Sequence, residues 1–328
     1  MRRPWRIRPP GCVKGAEGQR TGDGSMKTMG MKRTVSAGLA AILLGATGPA
    51  LARQEAPAAA TAGAIAQRVA FRSMDEPRTE LVGYLFKPGS PAPQGGAPAV
   101  VLMHGRGGVY SSLANGVYDA STLTRRLRFW ADYWTQRGYY ALVVDSFGPR
   151  GYPTGFAAGS YATRPPEVNE VTIRPLDAYG AMRFLRGLDG VADDRIGLMG
   201  FSNGASATLA AMADDKPGDM TRLGFRAGLA LYPGCGLQNR FRQGYKIYAP
   251  VRVFIGTADE EVSPESCRSL VDRAAQSGAP IELTVYEGAG HGFDDPSRSR
   301  QAVPANAAAT EDLRQKAGAF FETQLAPR

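Results

Sequence analysis

Short apolar runs alternate with longer amphipathic stretches from residue 66 to the end of the chain. The short runs have the length and the residue types of buried strands. They are Val69–Arg72, Leu81–Phe86, Ala99–Met103, Tyr140–Val144, Ile196–Met199, Ala227–Leu231, Val251–Ile255 and Ile281–Tyr286. The stretches with helical spacing are Leu123–Arg137, Leu176–Leu188, Ala205–Ala213, Glu265–Ser277 and Thr310–Gln324. This alternation predicts an α/β fold, with a mostly parallel twisted sheet of about eight strands and helices on both faces.

The same pattern predicts a single domain over residues 66–328, because no insertion between the elements is long enough for a separate lid domain. The first two strands are expected to form an antiparallel pair. The longest irregular segment is Ser146–Val171, which leaves the carboxyl end of a predicted strand. Long loops at that edge of an open α/β sheet commonly carry ligand sites, so we expect this loop to be functional.

Residues 1–52 have the pattern of a leader with a secretory signal. Lys27, Lys32 and Arg33 precede an apolar run over residues 35–46, and Ala50-Leu51-Ala52 fits a cleavage site. The run is too short for the roughly 20 residues of a membrane span, so cleavage is favoured over a retained anchor. We therefore expect a periplasmic or secreted protein that starts at Arg53, with no stable membrane anchor after cleavage and a flexible linker over residues 53–65. Translation itself could begin at Met26, Met29 or Met31.

Most of the positive charge belongs to this leader. The full chain has 39 Lys and Arg against 30 Asp and Glu, and residues 1–52 hold nine of the former and two of the latter. The rest of the chain is nearly neutral, which argues against nucleic acid as a partner. No CxxC, HExxH or nucleotide-binding loop is found in the sequence, so neither a metal nor a cofactor is expected.

Two cysteines, Cys235 and Cys267, follow the leader. In an oxidising compartment such a pair favours a disulfide. Two buried, unpaired thiols are the alternative, because the sequence does not define the distance between their Cα atoms.

Gly200-Phe201-Ser202-Asn203-Gly204 lies between a predicted strand and a predicted helix. A G-x-S-x-G motif in that context predicts a sharp turn that presents a nucleophilic serine above the sheet. The two glycines avoid steric overlap in the turn. We therefore predict Ser202 as a nucleophile.

A serine hydroxyl needs a base, and the chain contains two histidines, His104 and His291. His291 follows the last predicted strand in a glycine-rich segment, which suits a base that reaches across the end of the sheet. His104 opens His104-Gly105-Arg106-Gly107-Gly108 directly after a strand, which suits a structural histidine at the base of an oxyanion loop. The backbone N–H groups of Asn203 and Arg106 are the predicted oxyanion donors.

The carboxylate that orients the base is predicted to be Asp259, which follows the strand between the serine and the histidine. The alternatives are Glu260 and Glu261 beside it, and Asp294 and Asp295 beside His291. The resulting chain order of serine, aspartate and histidine is that of α/β-hydrolases.

The segments that contain His104, Ser202, Asp259 and His291, together with Asp145-Ser146-Phe147 at a strand end, resemble the dienelactone hydrolase family of α/β-hydrolases. The resemblance covers roughly residues 66–325. The resemblance implies an α/β-hydrolase fold without a lid and a triad of Ser202, Asp259 and His291. The family has cysteine where this chain has Ser202, which favours a general carboxylic ester hydrolase acting on small esters or lactones. Arg150 occupies about the place of the family's carboxylate-binding arginine.

Four aromatic side chains are further candidates for the substrate site, and the sequence leaves the oligomeric state open. They are Tyr110, Phe156, Tyr161 and Phe293. Trp130 and Trp134, four residues apart on a predicted helix, are expected to pack in the core.

Two other functions compete with the esterase hypothesis. A prolyl-oligopeptidase-like peptidase would share the triad and the fold, but such enzymes usually carry a propeller domain, and no blade-length repeat is found. A non-catalytic binding protein with the same fold would have no reason to retain serine, aspartate and histidine in order.

Overall fold

The computed structural model describes residues 64–328, in which eight strands pair in one sheet. The strands are β1 Gln67–Arg72, β2 Glu80–Phe86, β3 Ala97–Met103, β4 Tyr140–Asp145, β5 Val191–Phe201, β6 Ala227–Leu231, β7 Val251–Ala258 and β8 Ile281–Gly290. The predicted leader and nearly all of the predicted linker lie outside the described residues.

The strand order in the sheet is β1-β2-β4-β3-β5-β6-β7-β8. Strand β2 runs antiparallel to both of its neighbours, and all pairings from β4 to β8 are parallel. The mostly parallel sheet and its antiparallel first pair are therefore confirmed. Because parallel strands end at the same edge, the carboxyl ends of β3, β5, β7 and β8 bring their following loops together.

Seven helices accompany the sheet in residues 64–328. They are α1 Arg125–Thr135, α2 Arg174–Arg186, α3 Asn203–Met212, α4 Met220–Leu223, α5 Pro264–Gln276, α6 Arg298–Gln301 and α7 Pro304–Gln324. The five predicted helices are confirmed, although α7 begins six residues earlier than predicted, because Pro304 suits the first turn of a helix. The four-residue helices α4 and α6 were not predicted.

Helices cover both faces of the sheet. An added Cβ on Gly197 would meet Phe321 of α7, whereas one on Gly200 would meet the backbone of Gly204 and the side chain of Thr208 in α3. Residues three apart on a strand point to opposite faces, so α7 and α3 lie on opposite faces. Trp134 of α1 packs on Phe321 with ring centroids 5.1 Å apart, which places α1 on the α7 face.

The central strands β3, β4 and β6 are apolar over nearly their whole length, as a sheet covered on both faces requires. All residues of β4 and β6 are buried. Trp130 and Trp134 are fully buried, as expected for core residues. Among residues 64–328, no helix is both long and apolar enough to span a bilayer.

In residues 64–328, five segments of three or four residues form single turns with 3₁₀-type hydrogen bonds in the connections. They are Ala120–Thr122, Gly148–Arg150, Ser160–Thr163, Pro166–Val168 and Leu237–Asn239. Three of them fall in the long loop after β4, which is therefore partly ordered into single turns. In this loop Gly155 lies against the backbone of Arg106 and Gly107, so the loop packs on the segment that follows β3.

Candidate active site

Ser202 lies in the sharp turn between β5 and α3. Its backbone has φ +53° and ψ −117°, which is a strained conformation for a residue with a side chain. The flanking glycines permit this turn. A Cβ on Gly204 would overlap the carbonyl oxygen of Met103, and one on Gly200 would overlap the carbonyl of Gly204.

His291 and Asp259 form a hydrogen-bonded chain with this serine. The Nε2 atom of His291 lies 2.9 Å from Ser202 Oγ. The Nδ1 atom lies 2.9 Å and 3.0 Å from the two carboxylate oxygens of Asp259. Because Nδ1–H donates to the carboxylate, Nε2 is free to accept the serine proton. The structure thus brings together the three residues that the sequence singled out.

Asp259 is in turn fixed by the loop after β7. Its Oδ1 accepts hydrogen bonds from the backbone N–H groups of Glu261 and Val262, each at 2.9 Å. The side chain is fully buried, and the His291 side chain is 10% exposed. The edge of the Tyr232 ring packs against the imidazole at a centroid distance of 4.8 Å. The imidazole is therefore held by both a hydrogen bond and packing.

The two glutamates beside Asp259 have other partners. Glu260 accepts the backbone N–H of His291 at 3.0 Å. Glu261 accepts two hydrogen bonds from the Arg106 guanidinium, and this pairing lowers the pKa of Glu261. Its Oε2 atom also lies 3.7 Å from His291 Nε2. Neither glutamate takes the position of Asp259 at Nδ1.

The two aspartates beside His291 are also engaged elsewhere. Asp294 is fully buried and accepts hydrogen bonds from Trp130 Nε1 at 2.7 Å and from the Tyr232 hydroxyl at 2.6 Å. Asp295 lies 3.3 Å from the Arg126 guanidinium. Both aspartates therefore bind groups other than the imidazole. The sequence did not indicate these partners.

His104 has the surroundings of a structural histidine. Its side chain is buried, its Nδ1–H donates to the Gly105 carbonyl at 2.6 Å, and its Nε2 accepts the backbone N–H of Ser146 at 3.2 Å. Burial lowers the pKa of this imidazole well below its ordinary value, and the nearby Arg174 cation adds to the effect. His104 is therefore a neutral link between the loops that follow β3 and β4.

The two predicted oxyanion donors, the backbone amides of Asn203 and Arg106, lie in segments next to the elbow. Asn203 is the first residue of α3, and Gly105 lies so close to the elbow that its added Cβ would be 3.5 Å from Ser202 Cβ. The next residue, Arg106, is held by the N–H of Phe156, which donates to its carbonyl at 2.8 Å. Among the hydrogen bonds of residues 64–328, none has the amide of Asn203 or Arg106 as its donor. Both amides can therefore donate to a ligand.

Two cavities flank the Arg106 side chain. One has a volume of about 750 Å³ and contains Ser202, Tyr161 and Cys235 in its wall. The other has a volume of about 760 Å³ and is lined by Tyr110 and Phe156, among others. Three of the four aromatic candidates therefore lie at one of these cavities, with Tyr161 on the side of the serine.

The prediction that Phe293 lines the substrate site is wrong. Its side chain is fully buried and packs edge-to-face against Tyr232 at 5.7 Å and Tyr286 at 5.2 Å. Phe293 follows His291 by two residues, but its ring turns into the core beneath the histidine. It supports the imidazole's neighbour Tyr232 and contacts neither cavity.

The prediction that Arg150 binds substrate is also wrong. Its guanidinium donates to both carboxylate oxygens of Asp177 at 2.8 and 2.9 Å, and to Asp75 at 2.7 Å. The side chain is 4% exposed and contributes to neither cavity. The two carboxylates offset the cost of burying this charge, so Arg150 ties the loop after β4 to α2 and to the β1–β2 connection.

The structure joins Cys235 and Cys267 in a disulfide. This bond links the connection between β6 and β7 to helix α5, and Cys235 lies in the wall of the cavity that holds Ser202. Residues 64–328 contain no group of His, Cys, Asp and Glu side chains arranged to hold a metal ion.

Two charged residues near the elbow, Arg174 and Glu170, were not predicted. Arg174 donates to the side chain of Asn203, and Glu170 accepts from the same side chain. They lie 29 and 33 positions from Asn203 in the chain. No local motif marks them, because each is recognised only through its hydrogen bond to Asn203, a residue far from both in the chain.

Comparison with known proteins identifies the family of this chain. The model of the dienelactone hydrolase family matches residues 81–325. A probable 2-oxo-3-(5-oxofuran-2-ylidene)propanoate lactonase from Bradyrhizobium sp. is 24% identical over 213 residues, which are 63% of this chain and 78% of that protein.

Solved structures show the same fold. A dienelactone hydrolase-like promiscuous phosphotriesterase from metagenomic libraries superposes with a TM-score of 0.57 at 16% identity, covering 80% of this chain and 99% of that one. A putative dienelactone hydrolase from Klebsiella pneumoniae subsp. pneumoniae gives a TM-score of 0.54 at 16% identity, covering 78% and 98%. The sheet order and these likenesses define an α/β-hydrolase fold, and the match over residues 81–325 shows that the chain belongs to the dienelactone hydrolase family and is a hydrolase that acts on esters.

Proposed function

We propose that this chain is an exported serine hydrolase that cleaves small carboxylic esters or lactones through an acyl-enzyme on Ser202. The observation that carries the proposal is the continuous hydrogen-bonded chain from Ser202 Oγ through His291 to Asp259, with 2.9 Å between Oγ and Nε2. A serine with this partner is an activated nucleophile.

In the acylation step Ser202 Oγ attacks the carbonyl carbon while its proton passes to His291 Nε2. Asp259 holds the Nδ1–H and stabilises the imidazolium that forms. The carbonyl oxygen becomes an oxyanion that accepts hydrogen bonds from the amides of Asn203 and Arg106. When the C–O bond breaks, the imidazolium returns its proton to the leaving alkoxide, and the alcohol departs.

Deacylation repeats these steps with water as the nucleophile. His291 accepts a proton from the water as its oxygen attacks the acyl carbon, and Ser202 leaves with that proton. In a lactone the acyl group and the alcohol are parts of one molecule, so a single hydroxy acid is released. No redox cofactor is needed for either half of this reaction.

Two observations support an ester or lactone as the substrate. The family comprises dienelactone hydrolases, and the curated relative is described as a probable lactonase. The cavity of about 750 Å³ that contains Ser202 in its wall offers room for a small ester or lactone. Because Arg150 is committed to Asp75 and Asp177, it gives no reason to expect a preference for negatively charged esters.

Export is supported by two independent features. The first is the pattern of a basic segment, an apolar run and Ala50-Leu51-Ala52 in the leader. The second is the disulfide between Cys235 and Cys267, since structural disulfides persist mainly in oxidising compartments.

The nucleophile is tested with Ser202→Ala and His291→Ala. Each should lower kcat for a p-nitrophenyl acyl ester by about 10³-fold or more without changing the unfolding midpoint, because the two residues act as one unit. A p-nitrophenyl phosphonate should add one label, at Ser202. Ser299→Ala, an exposed serine in α6, is the matched control and should retain full activity.

The assignment would be contradicted by an active Ser202→Ala enzyme, or by phosphonate on another residue of wild type. A panel of acetyl, butyryl, lactone and peptide substrates separates the ester hypothesis from a peptidase. Faster cleavage of the peptide than of every ester would overturn the proposed substrate class.

A further inference from the structure

A buried arginine contacts both segments that supply the proposed oxyanion donors. Arg174 is the first residue of α2 and is fully buried. Its Nη1 donates to Oδ1 of Asn203, the residue directly after Ser202. Its Nη2 donates to the carbonyl oxygen of His104 at 2.7 Å, at the point where β3 passes into the Gly105–Arg106 segment.

These two segments are far apart in the chain. Asn203 belongs to the start of α3, and Arg106 belongs to the loop after β3, almost 100 residues earlier. An oxyanion hole requires both amides at hydrogen-bond distance from one oxygen atom, so their relative position must be maintained to a fraction of an ångström. Arg174 spans the two segments with one rigid, planar group.

The side chain of Asn203 is fixed on its other side by a carboxylate. Its Nδ2 donates to Glu170 Oε2 at 3.1 Å, and Glu170 is itself buried. The amide of Asn203 therefore lies between a cation and an anion, and each end of it has the partner that its dipole requires. This double contact leaves the side chain one orientation.

The surroundings of Arg174 suit a charged, stationary group. Its guanidinium lies 4.9 Å from the centroid of the Phe147 ring, which in turn packs on His104 at 4.5 Å. Burial lowers the pKa of Arg174 to about 10, so the group remains charged at neutral pH. A positive charge beneath the elbow also favours the negative charge that develops on the oxyanion.

We propose that Arg174 is a positioning residue that holds the Asn203 and Arg106 amides in register for the oxyanion. This inference rests on the proposed function, because an oxyanion forms only if Ser202 attacks a carbonyl or phosphonyl group. It predicts that loss of Arg174 acts on the transition state and leaves ground-state binding of the ester nearly unchanged.

A matched control is available, since the chain has a second buried arginine nearby. Arg150 is 4% exposed and bound to two carboxylates, but it contacts neither Asn203 nor His104. Arg150→Met removes a buried guanidinium whose hydrogen bonds go to Asp75, Asp177 and the Ser146 carbonyl. None of these hydrogen bonds is made to the residues that supply the two amides. A purely structural effect of losing a buried arginine should appear equally in both variants.

The test compares Arg174→Met, Arg174→Lys and Arg150→Met with wild type. The readouts are kcat and KM for a p-nitrophenyl ester, the rate of labelling by a p-nitrophenyl phosphonate, and the unfolding midpoint. In Arg174→Met we expect kcat and the labelling rate to fall by about 10- to 100-fold, with KM changed by less than about threefold. Arg174→Lys keeps the charge and one donor, so it should recover part of the loss. Folded Arg150→Met should retain both rates.

Asn203→Ala keeps the backbone N–H and cuts its connection to Arg174, so it provides a second route if Arg174→Met does not fold. We expect a similar fall in kcat and in labelling rate. In the double variant the two losses should not add, because both changes break the same connection.

The inference would be overturned if Arg174→Met were labelled at the wild-type rate. If Arg174→Met does not fold, the same result in Asn203→Ala would overturn it. Either outcome would leave the proposed function intact. Equal losses in Arg174→Met and folded Arg150→Met would overturn the inference too, because they would indicate a structural effect. If the phosphonate fails to label Ser202 in wild type, the proposed function itself is wrong, and the inference falls with it.

Discussion

His104 and His291 follow two strands of the same sheet, yet their surroundings give them different tasks. Both ring nitrogens of His104 are occupied by backbone groups of Gly105 and Ser146. His291 has a carboxylate on one nitrogen and a hydroxyl on the other. Only the second arrangement can pass a proton between a nucleophile and a leaving group.

The buried His104 makes stability depend on pH. Its pKa in the folded protein lies well below the ordinary value of 6.5. The unfolded chain therefore binds a proton on this residue at a higher pH than the folded protein does. The associated stability is fully present above about pH 6.5 and is lost progressively as the pH falls below that value.

We expect His104→Gln to reduce the slope of the free energy of unfolding against pH by up to about 1.4 kcal/mol per pH unit below pH 6.5. Urea titrations at pH 7.5, 6.5 and 5.5 measure this slope. Ser299→Ala should keep the wild-type slope. Equal slopes in wild type and His104→Gln would show that the buried imidazole is not the cause.

At the residue scale, the three side chains that meet around His291 Nδ1 and Nε2 could be predicted because their signals are local. Gly200 and Gly204 mark the turn, and the chain order of Ser202, Asp259 and His291 follows from the strands that precede them. The direction of a side chain is not local. Arg150 and Phe293 are close in sequence to the active-site segments, but their side chains turn toward Asp177 and Tyr232 respectively.

At the scale of the elements, the connection between β6 and β7 is joined to α5 by a disulfide. Leu237, Gln238 and Asn239 all have positive φ, at +44°, +50° and +64°. These residues line or adjoin the cavity of Ser202, and Cys235 beside them is bonded to α5. Successive residues in this conformation are unfavourable, so the tertiary contacts must hold the segment in place.

We expect the double variant Cys235→Ser with Cys267→Ser to lower the free energy of unfolding by about 3–4 kcal/mol, because the bond closes a loop with a sequence separation of 32 residues. Urea unfolding with and without a reductant measures the effect. Wild type should lose this stability in reductant, and the double variant should not respond to it. Identical unfolding midpoints for wild type with and without reductant would contradict the prediction.

The limits of the elements were predicted less well than their existence. The apolar pattern identified all eight strands, but β5 begins at Val191, before its apolar run. Its first residues pair with β3 across an irregularity between Ala97 and Ala99. Backbone pairing with a neighbouring strand extends an element beyond its hydrophobic pattern, and the sequence of that element alone does not contain this information.

At the scale of the whole molecule, the excess of positive charge lies in the proposed leader, and the chain that remains after its removal is nearly neutral. Without residues 1–52 the chain has 30 Lys and Arg against 28 Asp and Glu. A nearly neutral surface removes the general attraction to nucleic acid that the full sequence would suggest.

Export predicts that the full-length chain, expressed with its own leader in a bacterium, is recovered from the periplasm or medium with Arg53 as its first residue. Intact mass under non-reducing conditions should match residues 53–328 with two hydrogens missing for the disulfide. A cytoplasmic protein that retains the leader would refute export. Two titratable thiols in a correctly cleaved protein would refute the disulfide alone.

The sequence by itself determined the fold class and the serine, histidine and aspartate that the structure brings together. Hydrophobic periodicity reports which strands are buried on both faces, and the tight turn around Ser202 needs glycine at Gly200 and Gly204 in any context. Only the tertiary structure decided which polar and charged side chains contact each other. Glu170 and Arg174, at the start of α2, meet Asn203 at the start of α3, and Arg150 meets Asp75 across 75 positions. Such contacts depend on the distance between side chains in space. The order of residues along the chain does not give that distance, because charged and amide side chains are common at the surface and form no local motif.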